Sequence, residues 1–365
     1  MVNPMVRHLY VHIPFCPKVC PYCSFYKEAT DRNKTKAFLE AVLAEAEMAA
    51  DGLRPETVFF GGGTPTALST PHLEFLVAGL RERLDFSALR EFTVEMNPAT
   101  VSLEKASALL ALGVNRVSMG VQSWDDRLLR TLGRVHSAAQ ARRSYEILRE
   151  AGVENINLDL IFGIPGQSAA QWRESLLRTI GLGPDHISAY CLTYEEDTEY
   201  FEKFTRGEHA PDEGRDAVFF ESAMDLLPAA GFEQYEISNY AKPGRECLHN
   251  LAYWQGADYA GLGPSAFSTR SGTRRRNIPD TSEYIRRTEN RLDRHDFEEP
   301  VPADLRRTEI TAFALRTKYG ISAASADPKI AGALEANGLV EIVAGRLRLT
   351  RKGKLVADAV AAELL

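Results

Sequence analysis

The chain has 365 residues, 44% of them hydrophobic and 25% charged, which is typical of a soluble globular protein with one large domain and a smaller one. No apolar run approaches the ~20 residues of a membrane span, and Met1–Arg7 lacks the apolar core of a signal peptide. The net charge of −7 disfavours a protein that binds nucleic acid over its whole surface.

Strands and helices alternate through the first half of the sequence. The predicted strands are 7–13, 57–60, 92–96, 116–121, 156–161 and 186–190. The predicted helices are 33–50, one that begins near Ser69, one from Ser102 to Gly113, 137–150, and one that begins at Ser168. This alternation predicts right-handed βαβ units around a parallel sheet. Six units are too few to close an eight-stranded barrel, and the glycine-rich turn at 61–65 lacks Rossmann spacing, so we expect an α/β fold with a partial, open (β/α)6 barrel of TIM type.

The second half of the chain has a different pattern. An amphipathic helix at 210–230 precedes an aromatic, glycine-rich region and a charged surface region. From about 303 the order helix, helix, strand, turn, strand, helix is winged-helix-like. Its basic hairpin is compatible with DNA binding, but a solvated wing is favoured because the chain is acidic. We therefore predict three units: a barrel at 1–205, an extension of it at 206–300, and a winged-helix-like domain at 301–365.

A short loop after the first strand carries Cys16, Cys20 and Cys23 at C-x3-C-x2-C spacing. Thiolates are soft ligands suited to iron–sulfur clusters or zinc. Structural zinc takes four ligands, usually in two pairs, whereas the remaining cysteines, Cys191 and Cys247, are distant and single. Clustered cysteines also argue against a disulfide framework. We favour a [4Fe–4S] cluster with one open iron in a reducing compartment, the cytoplasm.

Polar residues and glycines recur where the predicted strands end, which is where parallel barrels place their chemistry. Glu95 and Asp159 are carboxylates in apolar strands, and a buried carboxylate needs a partner, either a structural group or a ligand. The three glycines at 61–63 indicate either a tight turn or the close approach of a ligand.

The stretch from Tyr10 to Cys23 resembles the radical S-adenosylmethionine (SAM) superfamily. More narrowly, it resembles the branch that holds oxygen-independent coproporphyrinogen III dehydrogenases and haem chaperones. In that superfamily the amine and carboxylate of SAM chelate the open iron, and an electron from the cluster cleaves SAM to methionine and a 5′-deoxyadenosyl radical. The resemblance implies the same barrel fold. It implies cofactor contacts at Tyr10, Tyr22, Gly62, Gly63, Thr64, Glu95, Gln122, Arg134 and Asp159.

Two departures from the dehydrogenase pattern favour the chaperones. Phe25 stands where the dehydrogenases have a fourth cysteine, and few residues precede the first strand. The resemblance then implies that haem is the cargo, that it is passed to a haem-requiring membrane or respiratory protein, and that a second copy of the chain is a partner. The alternative is oxidative decarboxylation of two propionates of coproporphyrinogen III, so whether the chain is an enzyme stays open. A third interpretation is a zinc- or cluster-stabilised binding protein.

The family motif H-N-x-x-Y-W is present at 249–254. It implies that His249 is the axial ligand of haem, because imidazole ligates haem iron and the adjacent rings suit a macrocycle. A hydrogen-bonded structural histidine is the alternative.

Overall fold

The computed structural model describes residues 5–365, so part of the expectation about Met1–Arg7 lies outside it. The strands are β1 (Val6–Ile13), β2 (Phe15–Cys16), β3 (Glu28–Ala29), β4 (Leu53–Gly62), β5 (Glu91–Met96), β6 (Arg116–Gln122), β7 (Ile156–Phe162), β8 (His186–Cys191), β9 (Glu233–Gln234), β10 (Asn239–Ala241), β11 (Ala260–Leu262), β12 (Phe267–Arg270), β13 (Thr273–Asn277), β14 (His295–Pro300), β15 (Ile321–Ser322), β16 (Val340–Val343) and β17 (Arg346–Leu349). The helices are α1 (Arg32–Ala49), α2 (Thr70–Arg83), α3 (Leu103–Ala111), α4 (Asp126–Thr131), α5 (Ala138–Glu150), α6 (Ala169–Leu182), α7 (Glu199–Thr205), α8 (Glu213–Ala229), α9 (Leu248–Trp254), α10 (Thr281–Glu289), α11 (Ala303–Leu315), α12 (Pro328–Ala336), α13 (Arg351–Lys354) and α14 (Ala357–Leu364). None of the helices between residues 5 and 365 combines the length and apolarity that crossing a bilayer requires.

The main sheet has nine strands in the order β11-β1-β4-β5-β6-β7-β8-β10-β9. Strands β1 and β4 to β8 are parallel neighbours, β11 adds in parallel beside β1, and β10 and β9 are antiparallel. In the described part of the chain β11 and β9 do not pair with each other, so the barrel is open. The prediction of an open (β/α)6 barrel is confirmed.

The strands sort their side chains by alternation. In β1 the apolar residues Leu9, Val11 and Ile13 are fully buried and belong to one hydrophobic core with residues of the surrounding helices. The intervening Tyr10 and His12 bond to each other, and Tyr10 packs on Phe59 of the next strand. The polar residues, which alternate with the apolar ones along a strand, therefore face the inside of the barrel and can serve a site there.

Helix starts follow from local capping. The hydroxyls of Ser69, Ser102 and Ser168 each accept a hydrogen bond from the backbone N–H three residues on, as the sequence predicts. These caps fix where each helix leaves its strand-end loop.

The second half of the chain builds onto the barrel and then forms a second core. Helix α8 places Phe219 and Phe220 in the main hydrophobic core, and β12, β13 and β14 form a small antiparallel sheet. The elements from α11 onward surround a separate hydrophobic cluster that includes Leu334 and Leu347, in the predicted winged-helix-like order. Arg351, which begins α13 just after the basic hairpin, pairs with Asp225 of α8. The exact division into three units stays a prediction.

Candidate functional site

The three cysteines lie in one closed loop at the carboxyl end of β1. Strands β2 and β3 pair in parallel, which brings Cys16 beside Ala29. The loop is closed by a hydrogen bond from Thr30 N–H to the Cys16 carbonyl at 3.2 Å, and Cys23 N–H donates to the Cys20 carbonyl at 3.2 Å. These backbone contacts place all three cysteines in one short closed segment at the end of β1.

The surroundings of this loop suit thiolate ligands. Burial raises the pKa of Cys16 and Cys23, so a free thiolate is disfavoured there without a positive partner. Arg134 Nη1 donates to Cys20 Sγ at 3.6 Å, and the Lys27 ammonium donates to the Cys23 carbonyl. A metal centre bound by the three sulfurs would supply the positive charge that stabilises them as thiolates.

The donor set fits an iron–sulfur cube better than a single zinc ion. Among residues 5–365 no three His, Cys, Asp or Glu side chains stand close enough to hold one metal ion. Zinc needs four such ligands around one centre. In a cube each thiolate binds a different iron, so three cysteines suffice and the fourth iron keeps an open position.

The glycine-rich turn continues β4 instead of following it. Gly62 pairs with Ile13, although the predicted strand ended at Phe60. Gly62 has φ +102°, and a Cβ there would lie 2.5 Å from the His12 ring. A Cβ on Gly63 would lie 2.7 Å from the Pro14 carbonyl carbon, so tight packing alone requires both glycines.

The backbone of the same turn is largely engaged within the protein. Gly63 N–H donates to the Ile13 carbonyl and Thr64 N–H to the Phe15 carbonyl, each at 2.8 Å, and the Thr64 carbonyl accepts from Ala67 N–H at 2.8 Å. An amine could therefore contact the turn only through its other carbonyl oxygens or the Thr64 hydroxyl. The Thr64 hydroxyl lies 3.6 Å from Cys16 Sγ, so the turn adjoins the cysteine loop.

Two partly buried carboxyl groups interact inside the barrel. Burial, and next the charge of Asp159, raise the pKa of Glu95 to about 8, although Gly62 N–H donates to it. Burial also raises the pKa of Asp159, which accepts hydrogen bonds from Ser118 Oγ at 3.1 Å and Asn157 Nδ2 at 2.8 Å. A cationic ligand beside these groups would allow both to ionise.

The end of β6 carries backbone strain. Gln122 has φ 66°, a left-handed conformation rare for residues other than glycine, and the pairing with β7 shifts between Gly120 and Gln122. Arg134 Nη2 donates to the Gly120 carbonyl at 3.0 Å, while its buried Nε has no partner among the described residues. Strain and an unpaired donor at one place are features of ligand sites.

The two tyrosines lie on either side of this region. Tyr10 is inside the barrel, its hydroxyl is 3.0 Å from His12 Nδ1, and burial followed by the Glu95 charge raises its pKa. Tyr22 lies within the cysteine loop, between Cys20 and Cys23, and packs edge-on against Tyr200 at 6.3 Å between ring centroids. Of the predicted SAM-contacting residues, Tyr10 lies on β1, Tyr22 in the cysteine loop and Asp159 within β7, and the glycine turn, Glu95 and Gln122 lie towards the carboxyl ends of β4, β5 and β6. Arg134 follows α4 and reaches back to the Gly120 carbonyl of β6.

His249 is not part of this group. It lies on α9, where Nδ1 is 2.8 Å from Thr57 Oγ1 and Nε2 is 3.0 Å from the Tyr253 hydroxyl. The side chain is buried, stacks on Phe59, and has its pKa lowered to about 3 by burial. Both ring nitrogens are engaged, so a haem iron would have to displace Thr57 or Tyr253 from the ring, and ligation of haem by His249 stays a prediction.

Helix α9 closes the opposite end of the barrel from the cysteines. The Glu91 carboxylate, at the start of β5, accepts hydrogen bonds from Leu248 N–H at 2.8 Å and His249 N–H at 3.0 Å. Arg116, at the start of β6, is fully buried nearby. Sequence reasoning missed this polar layer, although a charged residue at the start of each of two apolar strands is its signal.

Comparison with known proteins agrees with this geometry. The radical SAM superfamily profile matches residues 10–178. The chain is 36% identical to the heme chaperone HemW of Bacillus subtilis, over 97% of this chain and 98% of the relative. It is 39% identical to HemW of Escherichia coli, over 73% and 71%. The solved structure of coproporphyrinogen III oxidase (HemN) from Escherichia coli, a radical SAM enzyme, aligns with a TM-score of 0.85 and 24% identity, covering 99% of this chain and 90% of that one.

The fold and the profile define a radical SAM protein, a class that implies a [4Fe–4S] cluster and SAM. The relatives define the group more closely. The chain belongs to the HemW family of heme chaperones.

Proposed function

We propose that this protein is a haem chaperone that carries a [4Fe–4S] cluster, SAM and haem, and delivers haem to a haem-requiring respiratory protein. The observation that carries the proposal is the match to a haem chaperone over nearly the whole of both chains. We also propose that it acts in the cytoplasm and that a second copy of the chain is among its partners.

Cys16, Cys20 and Cys23 hold the cluster in this proposal. Arg134 supports it, because a hydrogen bond to a cluster sulfur tunes the reduction potential. When bound, the cluster would supply one electron to SAM, and that electron would break a carbon–sulfur bond of SAM. The chain's own contribution is to bind and orient these cofactors.

The contacts to SAM follow from the polar interior of the barrel. In this proposal the turn of Gly62, Gly63 and Thr64 contacts the amine of SAM through glycine carbonyl oxygens and the threonine hydroxyl. Glu95 and Asp159 offer carboxylates to positive charge or to hydroxyl groups. Tyr10, Gln122 and Arg134 border the same space. The raised pKa of Glu95, about 8, supports this assignment. A cationic ligand bound beside the carboxyl group would lower this pKa, so the group would release its proton to solvent on binding.

The second candidate is a coproporphyrinogen III dehydrogenase that decarboxylates two propionates. The shared fold with HemN leaves this reaction open, since the likeness is one of fold. Phe25 speaks against it. It is 65% exposed beside the cysteine loop, at the position where the dehydrogenases have a further cysteine.

One preparation tests both functions. The protein is reconstituted anaerobically, and one portion is incubated with SAM, dithionite and coproporphyrinogen III while another is titrated with haemin. The proposal expects saturable haemin binding and intact coproporphyrinogen. Loss of two carboxyl groups per porphyrin, measured by chromatography, would instead establish the dehydrogenase.

A further inference from the structure

A chain of hydrogen bonds crosses the inside of the barrel from Asp159 to the loop before α9. Asn157 Nδ2 donates to Asp159 Oδ1 at 2.8 Å, and His186 Nδ1 lies 2.6 Å from Asn157 Oδ1. His186 Nε2 lies 2.8 Å from the Tyr235 hydroxyl, which accepts from Cys247 N–H at 3.4 Å. Of these residues, only Asp159 belongs to the proposed contacts to SAM.

The chain is buried beyond Asp159. The side chains of His186, Tyr235 and Asn157 are almost completely shielded from solvent. Bulk water therefore cannot replace a partner that one of them loses, and a buried polar group without a partner is costly. Each member of the chain consequently depends on the orientation of its neighbours.

An ionised carboxylate at Asp159 fixes the direction of every bond in this chain. A carboxylate only accepts, so Asn157 must present its NH2 group to Asp159 and its carbonyl oxygen to His186. That oxygen also only accepts, so His186 must carry a hydrogen on Nδ1. Burial, and next the charge of Arg116, lower the pKa of His186 well below its usual value. The ring is therefore neutral, and Nε2 accepts from the Tyr235 hydroxyl.

The Asn157 amide needs the His186 donor to keep this orientation. Ser118 Oγ lies 2.8 Å from Asn157 Nδ2 and donates to Asp159 Oδ2 at 3.1 Å. If the amide turned by half a rotation, its oxygen would face Asp159, and the Ser118 hydroxyl would donate to that oxygen instead. The Ser188 hydroxyl, 3.2 Å from Asn157 Oδ1, is the other donor there and is shared with Asp159. His186 therefore decides whether Asp159 meets a donor or an acceptor.

We infer that His186 is a positioning residue for SAM binding, because its Nδ1–H holds the Asn157 amide with the NH2 group towards the Asp159 carboxylate. This inference rests on the proposed function, in which Asp159 contacts SAM. His186 lies at the start of β8 and acts on the ligand only through Asn157 and Asp159.

Two substitutions of His186 separate positioning from packing. The amide nitrogen of asparagine is as many bonds from Cα as Nδ1 of histidine, whereas that of glutamine matches Nε2. His186→Asn can therefore still donate to Asn157, and His186→Gln can bond only to Tyr235. By equilibrium dialysis of the full-length, cluster-loaded protein, we expect His186→Gln to bind SAM at least about tenfold more weakly than wild type, the contribution of one hydrogen bond to a charged group. His186→Asn should bind SAM nearly as wild type does, although its side chain fills less of the core.

A double-mutant cycle tests whether His186 acts through Asp159. Asp159→Asn removes the carboxylate, so adding His186→Gln to it should cause no further loss of SAM affinity. A further loss of the full size would overturn the inference. So would wild-type affinity in His186→Gln, or a greater loss in His186→Asn than in His186→Gln, which would indicate packing.

The tautomer of His186 gives a test in the wild-type protein. In protein labelled with nitrogen-15 at histidine, the correlation spectrum should show the hydrogen of His186 on Nδ1, the signal being identified by its absence from either variant. A hydrogen on Nε2 alone would overturn the inference and leave the proposed function standing. If the cluster-loaded wild type binds no SAM, the proposed function loses its SAM site and the inference fails with it.

Discussion

Glu95 makes the stability of the ligand-free barrel depend on pH. Its pKa rises from 4.5 to about 8 in the folded chain because burial, and next Asp159, disfavour the carboxylate. Below pH 4.5 the group is protonated in both states, and its contribution to folding is fully present. As pH rises towards 8 the unfolded chain releases the proton first, so this contribution is lost.

The magnitude follows from the size of the pKa change. Each pH unit between the two pKa values costs about 1.4 kcal/mol, so the whole loss is about 5 kcal/mol. Glu95→Gln keeps the shape of the protonated acid and cannot ionise. Relative to wild type, we expect its free energy of unfolding to increase by about 1.4 kcal/mol per pH unit from pH 6 to 8.

The assay is urea unfolding of the cluster-free protein at several pH values, followed by the fluorescence of the buried barrel residues Trp124 and Trp172. The exposed Glu74→Gln on α2 is the matched control and should follow the wild-type curve. Parallel curves for Glu95→Gln and wild type across this range would refute the argument that Glu95 is a buried acid held protonated.

Three further predictions concern the cluster, the turn and the barrel end. Alanine at any of the three loop cysteines should abolish iron and sulfide binding after anaerobic reconstitution, measured by elemental analysis. Substitution of the exposed Cys191 by serine should leave both unchanged. Retention of iron and sulfide by all variants would contradict the ligand assignment. Gly62→Ala should lower the free energy of unfolding by about 1–3 kcal/mol more than Gly166→Ala. Both glycines have positive φ, but only at Gly62 would the added Cβ also clash with the His12 ring. Equal losses in urea titrations would show that this clash relaxes. Glu91→Ala should lower the free energy of unfolding by about 2–6 kcal/mol, since two N–H groups of α9 each lose their acceptor; a loss below 1 kcal/mol would show that α9 is anchored otherwise.

The sequence predicted the barrel well because its signals are local. Each of the six predicted strands is rich in apolar residues over a short stretch, and the hydroxyls of Ser69, Ser102 and Ser168 mark helix starts that depend on contacts three residues away. Strand β11 has only three residues, and its place beside β1 depends on a pairing more than 200 residues apart along the chain, which no local pattern encodes.

The candidate site likewise has a part that local sequence patterns predict and a part that they do not. The cysteine spacing is local, and the structure gathers those residues in one loop. The environment of His249 is not local, because the hydroxyl that engages Nδ1 belongs to Thr57, 192 residues earlier. A motif can mark such a histidine, but only the fold shows that both of its nitrogens are used.

The most direct test of the account is haem transfer. Protein loaded with cluster, SAM and haem is mixed with a haem-free b-type cytochrome, and the appearance of the cytochrome spectrum is followed under anaerobic conditions. The account predicts that haem moves to the cytochrome and that coproporphyrinogen III in the same mixture keeps all of its carboxyl groups. Failure of the cytochrome spectrum to appear, together with decarboxylation of coproporphyrinogen III, would contradict the account.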